Sequence, residues 1–235
     1  MNQVILDTTQ VALFPSNFLI SNSYALADKL RDILSMDEKY LRVDTMFDKG
    51  GPADFVRVSS VLARDENIEV QLSPAKISIF WRNKESDIDY KILAMDTEKV
   101  VRQVVERAMG NNVSFLRVGY ISTVFKTESN PTNVLRKILG DDEYGMNLSD
   151  GQLILTYNYD KEMQKIDKTV HYNRHVKLST GIANKLNNRK VVIVEYDLNT
   201  RQDQNLLWNI DKLCQFINFA SAHKNKEEIY EQCTK

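Results

Sequence analysis

Lys76-Ile-Ser-Ile-Phe-Trp-Arg82, followed by Asp96 to Met109 and then Ser114-Phe-Leu-Arg-Val-Gly-Tyr-Ile-Ser-Thr-Val-Phe125, is the stretch that decides the fold. The first segment alternates apolar and polar side chains and predicts a strand. The second carries Val100, Val101, Val104, Val105 and Ala108 along one helical face, with Gly110 placed where a left-handed residue ends a helix. The third returns to an extended pattern through Lys126. Strand, helix, strand is therefore the joint between two parts of the chain.

Upstream, Val4 to Phe14 reads as a strand ended by Pro15, and Asn22 or Ser23 as the cap of a helix bearing Tyr24, Ala27, Leu30 and Leu34. Four short extended segments follow, Tyr40 to Phe47, Asp54 to Ala63, Asn67 to Leu72 and Lys76 to Arg82, separated by turn formers such as Lys49-Gly-Gly-Pro52 and Ser73-Pro74. Downstream, Pro131 opens a helix through Leu139. Extended segments are expected at Gln152 to Tyr159, Lys165 to Tyr172, Arg174 to Thr180 and Arg189 to Leu198. A long amphipathic helix, Asp203 to Ala222, carries Leu206, Leu207, Ile210, Leu213, Cys214, Ile217 and Ala220 on one stripe, and a short helix, Lys226 to Cys233, trails it.

Both halves thus read strand, helix, four strands, helix. The expected fold class is α+β: a mainly antiparallel sheet with helices on one face, built as one domain of two pseudo-equivalent halves, 1–111 and 112–235. That order is similar to the saddle of the TATA-binding protein, a likeness of fold and not of function. Val191-Val-Ile-Val194 is apolar on both sides and predicts a central strand, whereas Phe55-Val-Arg-Val-Ser59 keeps one polar face. Part of the sheet is expected to remain uncovered.

Composition bounds the function classes. A hydrophobic fraction of 43% fills an ordinary core, and 31 basic against 32 acidic residues leave no global field to attract nucleic acid or anionic lipid. Cys214 and Cys233 read as reduced thiols and predict a cytoplasmic protein. No run approaches the roughly 18 to 20 apolar residues of a membrane span, and the start of the chain lacks the pattern of a secretory signal.

Ile77-Ser-Ile-Phe-Trp-Arg82, Tyr90, Arg117-Val-Gly-Tyr-Ile121, Glu195-Tyr-Asp-Leu-Asn199 and Tyr230-Glu-Gln-Cys-Thr234 resemble a sporadically distributed family of uncharacterised bacterial proteins of roughly this length. The resemblance spans nearly the whole chain through short motifs. It departs from the family where a second arginine often follows the Arg-x-Gly step and Tyr120-Ile121 stand here. It implies a bacterial or phage-related origin and transfers no catalytic residue.

Three chemistries can be weighed on the residues. Arg42, Arg57, Arg82, Arg117 and Arg174 lie on strands, with Trp81, Tyr120 and Tyr172 near enough in sequence to offer stacking surfaces. Lys161 to Lys177 is locally basic. A nucleic-acid site would draw on Arg57, Arg82, Arg117, Lys165, Lys168, Arg174 and Lys177; the plain alternative is a solvated, ion-paired surface, with Arg117 paired to a helix carboxylate such as Glu106. Glu195 and Asp197 alternate onto one strand face and, with His171, form the candidate metal set of a metal-dependent hydrolase, the third functional reading, against the plain reading of a polar strand end. His171 and His175 lie about 13 Å apart if extended, too far to share an ion without a turn, and His223 is expected to sit at a helix C-terminus. Nucleophile elbows and phosphate-cradling glycine loops are missing, so no catalytic residue and no cofactor is expected. The expected partner is another protein in a bacterial multi-component system, phage defence being one setting considered. Nucleic acid and a second copy of the chain are the alternatives, and no membrane contact is expected.

Overall fold

In the computed structural model, residues 3–34, 42–46, 55–61, 66–83, 90–110, 112–139, 152–159, 172–201, 207–223 and 225–234 are described. The predicted segment Lys165 to Tyr172 falls outside them except for Tyr172, as do Lys165, Lys168 and His171 themselves.

Among the described residues nine strands form one antiparallel sheet: β1 (Val4–Pro15), β2 (Arg42–Met46), β3 (Phe55–Val61), β4 (Glu66–Leu72), β5 (Ile77–Asn83), β6 (Phe115–Thr127), β7 (Gln152–Tyr159), β8 (Tyr172–Ala183) and β9 (Arg189–Thr200). Their spatial order is β2-β3-β4-β5-β1-β6-β9-β8-β7. The first strands of the two halves, β1 and β6, pair at the centre, and on either side the last strand of each half comes next, then its predecessors in reverse. The fold is the expected α+β arrangement. Among the described residues β2 has no counterpart in the C-terminal half, and the predicted Arg174 to Thr180 strand is longer, beginning at Tyr172 and running to Ala183.

Strand chemistry explains the register. In β1 the buried residues Val4 and Leu6 are followed, after a bulge at Asp7, by Thr9, Val11 and Leu13. The extra residue shifts the inward phase from even to odd positions, which keeps one face of the strand turned to the core along its whole length. The β4–β5 hairpin is closed by Ser73, whose backbone N–H (2.9 Å) and hydroxyl (2.8 Å) both donate to the Lys76 carbonyl. Asn187 and Asn188, at φ 55° and 58°, turn β8 into β9, a conformation asparagine tolerates better than most residues.

The helices are α1 (Ser23–Leu34), α2 (Tyr90–Gln103), α3 (Pro131–Leu139), α4 (Ile210–His223) and α5 (Lys226–Thr234). Asparagine caps three of them: Asn22 Oδ1 accepts from the Ala25 amide (3.0 Å), Asn209 Oδ1 from Lys212 (3.0 Å) and Asn225 Oδ1 from Glu228 (2.8 Å). Two predicted helices are corrected. The one expected from Asp96 starts at Tyr90 and ends in a π-segment, Val104–Met109, closed by the Gly110 amide donating to the Val105 carbonyl at 3.0 Å, with Gly110 at φ 95°. The one expected from Asp203 starts at Ile210. Leu207 is 56% exposed, and the Trp208 backbone instead pairs with Phe115 through N–H···O bonds of 2.8 and 3.0 Å. A fully buried Trp208, edge-on to Phe216, holds that bridge, and the Asn209 cap then sets the helix start.

One apolar core joins all five helices to a single sheet face, formed by residues such as Val11, Leu13, Val70, Ile79, Val118, Tyr120, Val194 and Leu198. At roughly 1.5–3 kcal/mol for each buried large side chain, this layer is the main source of stability. Across it, α2 and α4, the closing helices of the two halves, are tied together by Arg102, which reaches Glu106 (3.3 Å) on its own side and Asp211 (3.2 Å) on α4, and by Asn218 donating to Glu98 (2.7 Å). Glu106 is therefore the partner of Arg102, not of Arg117. Cys214 and Cys233 are buried thiols, and burial pushes Cys214 up to about 11.

Candidate functional site on the open sheet face

Strand alternation sends every second side chain away from the helices, so the cross-strand register determines which of them become neighbours. One row across the sheet reads Asn67, Arg82, Thr8, Thr123, Glu195, Lys177 and Ile154. The next reads Glu69, Phe80, Gln10, Ile121, Asp197, His175 and Thr156. A third passes through Gln71, Ser78, Ala12, Gly119, Asn199, Asn173 and Asn158. At the end of the central pair Phe14 stands opposite Arg117. Of these, the residues from β1, β5, β6, β8 and β9, together with Glu69 and Gln71, lie outside the helix-side core.

In the N-terminal half, Glu69 is 2% exposed and accepts from both Arg82 Nη1 and Gln71 Nε2, while the Arg82 guanidinium also lies 5.2 Å over the Phe80 ring. A carboxylate removed from water is stable there because two donors replace its hydration. At the centre, the Arg117 guanidinium lies 5.1 Å over Phe14, and Lys76 approaches the same ring at 5.8 Å. The floor beside them is shallow because it is made of Ala12 and Gly119. A Cβ on Gly119 would stand in ordinary contact with Asn199 Cβ (3.5 Å), Ala12 Cβ (3.7 Å) and Asp197 Oδ1 (3.7 Å), which places Asp197 and Asn199 directly beside this floor.

In the C-terminal half, burial raises the Asp197 carboxyl above the usual carboxylate range; the Asn199 amide, His175 and Arg117 oppose the shift, and Glu195 adds to it. Asp197 Oδ1, Arg117 Nε and both amide atoms of the 1%-exposed Asn199 are buried and make no hydrogen bond at bonding distance. Nearby, Arg201 Nε donates to Asn173 Oδ1 at 3.0 Å. A wholly buried polar group without a partner costs about 1–3 kcal/mol, so this corner holds unspent hydrogen-bonding capacity.

The predicted site residues divide between the two faces. Arg82, Arg117 and Lys177 share the open face, and Arg57 occupies a register position on β3 between Asp44 and Gln71. Arg174 does not join them. It sits on the helix side, opposite Leu198, where its charge moderates the burial that pushes the Tyr196 hydroxyl up to about 12. Trp81, Tyr120 and Tyr172, expected to offer stacking surfaces, are likewise buried under the helices; on the open face the cations lie over Phe14 and Phe80 instead. Glu195 and Asp197 share a face as expected, and the histidine beside Asp197 is His175. Among the described residues, no group of three or more histidine, cysteine, aspartate or glutamate side chains is arranged to hold a metal ion. His175 and Phe14 could have been found from sequence only with the strand pairing in hand, because each reaches its partners across the sheet.

No helix among the described residues is long and apolar enough to cross a membrane. No family model matches the chain, and no curated protein does. Among solved structures, the chain is similar to a rolling circle replication initiator protein from Geobacillus stearothermophilus, with 13% identity and a TM-score of 0.35 over 94% of this chain and 80% of that one. It is also similar to TBP from Methanococcus jannaschii, with 10% identity and a TM-score of 0.29 over 94% of this chain and 99% of that one.

Proposed function

We propose that the protein works by binding, as a non-enzymatic component of a bacterial multi-protein system, and that it takes a partner protein on the open sheet face. The observation that supports this reading is the balance of charge on that face. Arg82 is committed to Glu69, Arg117 lies close enough to Asp197 to stabilise its charge, and Lys177 stands opposite Glu195. A surface of interspersed signs, half-buried aromatics and unspent amide groups matches the mixed chemistry of a protein surface better than the uniform negative charge of a polyphosphate. Co-purification from the native host, with light scattering on the recovered complex, tests it. A partner captured by the native chain and lost in a Phe14→Ala, Arg117→Glu variant is expected. A monomer that recovers no partner and turns over a substrate would overturn the reading.

Nucleic acid on the same face is the second reading, favoured by the two cations, Arg117 and Lys76, gathered over Phe14. Filter binding at rising salt separates the two. Phosphate contacts make affinity fall steeply with salt, and a slope near zero rules this reading out.

A further inference from the structure

Away from the open face, a cavity of about 450 Å³ lies between the loop that joins β1 to α1 and the π-segment, within the size range of small-ligand sites. The buried side chains of its floor, Phe18, Ile20 and Leu26, are apolar, Asn17, Ser21 and Asn22 add polar groups to the lining, and Leu19, also on the lining, is 82% exposed. Among the described residues Lys29 is the one charged side chain lining it, and the start of α1, through Asn22 and Ala25, forms part of the rim. The π-segment supplies one wall through Ala108 and Met109 immediately before the Gly110 turn. Such segments recur at ligand sites, since the widened turn opens space that an α-helix would fill.

We propose that this cavity binds an aliphatic carboxylate of medium chain length, with the hydrocarbon on the apolar floor and the head group at Lys29. Hydrocarbon transferred from water to the floor supplies affinity without direction. Lys29, reinforced by the positive end of α1, supplies the preference for an anion. A single cation beside an apolar floor suits a singly charged carboxylate on a chain, whereas a phosphate would call for several donors.

Calorimetric titration of the full chain with decanoate, decanol and decyltrimethylammonium, each below its micelle-forming concentration, tests this. Saturable one-to-one binding of decanoate is expected, about five-fold tighter than decanol, as an exposed ion pair allows, with the cationic amphiphile weakest. Lys29→Met should bring decanoate to the decanol level. Ala25→Trp, at an exposed position on the rim, should block every ligand without changing the unfolding midpoint. Equal affinity for the three amphiphiles, non-saturating uptake, no binding at all, or undiminished binding to the folded Ala25→Trp protein would each overturn the proposal.

Discussion

The two halves of the open face bury a carboxyl group in opposite ways. Glu69 on β4 is enclosed and satisfied, held by Arg82 and Gln71. Asp197 on β9 is enclosed and under-satisfied: its Oδ1 accepts nothing at bonding distance, and burial raises its pKa even with Arg117 and His175 at hand. The difference teaches where a visitor could gain binding energy. A satisfied group has little left to offer a ligand, while a group whose capacity is unused can strengthen when one arrives. The N-terminal half of the face thus looks finished and the C-terminal half incomplete.

The strongest attempt to break this comparison is Glu69→Ala. It strands Gln71 and leaves Arg82 without its acceptor, and since Arg82 is partly exposed and can turn to water, the cost should be about 2 kcal/mol, seen as a lower urea midpoint at unchanged slope. A loss no larger than that of an ordinary surface substitution, within about 0.5 kcal/mol, would mean that Glu69 is not held as described.

Asp197→Asn sharpens the other side. Because the folded carboxyl binds its proton more tightly than an unfolded one, the contribution of Asp197 to native stability is greatest below the ordinary aspartate range. It declines as pH rises from there through the raised folded value, then levels off. The asparagine variant lacks this decline, so relative to the native chain it should gain stability on the neutral side of that window. Urea midpoints measured from acid to neutral pH check it, and parallel curves for the two proteins would remove the strained carboxyl from the account.

The smallest effect is expected at Gly181. An added Cβ would meet Ile193 Cδ1 at 2.9 Å, but that atom is the far end of a flexible side chain on the open face. Gly181→Ala should cost less than about 1 kcal/mol if Ile193 can rotate aside. Thermal unfolding measures it, and a larger loss would show that the open face is packed as tightly there as the helix side.

Several features are legible in the residues alone. The strand of Lys76 to Arg82 and the stripe of Val101, Val104, Val105 and Ala108 follow from periods of two and about 3.6, and Asn22 and Pro131 mark helix starts by their own chemistry. Other features are not. The stripe read through Leu206 and Leu207 continued the helical spacing of α4, yet Trp208 is spent on a backbone bridge to Phe115, ninety-three positions away, which no local period reports. Arg174 looked like part of a basic surface, but the phase of β8 turns it under the helices.

From its residues alone this chain determines an α+β fold whose halves each run from a first strand through a helix and further strands to a closing helix, because alternation and capping are local and survive in any context. Only the tertiary structure decided that Asp197, His175, Asn199 and Arg117 meet beside a floor of Ala12 and Gly119. Their meeting depends on which strands pair and in what register, a choice made by the whole sheet and its shared core.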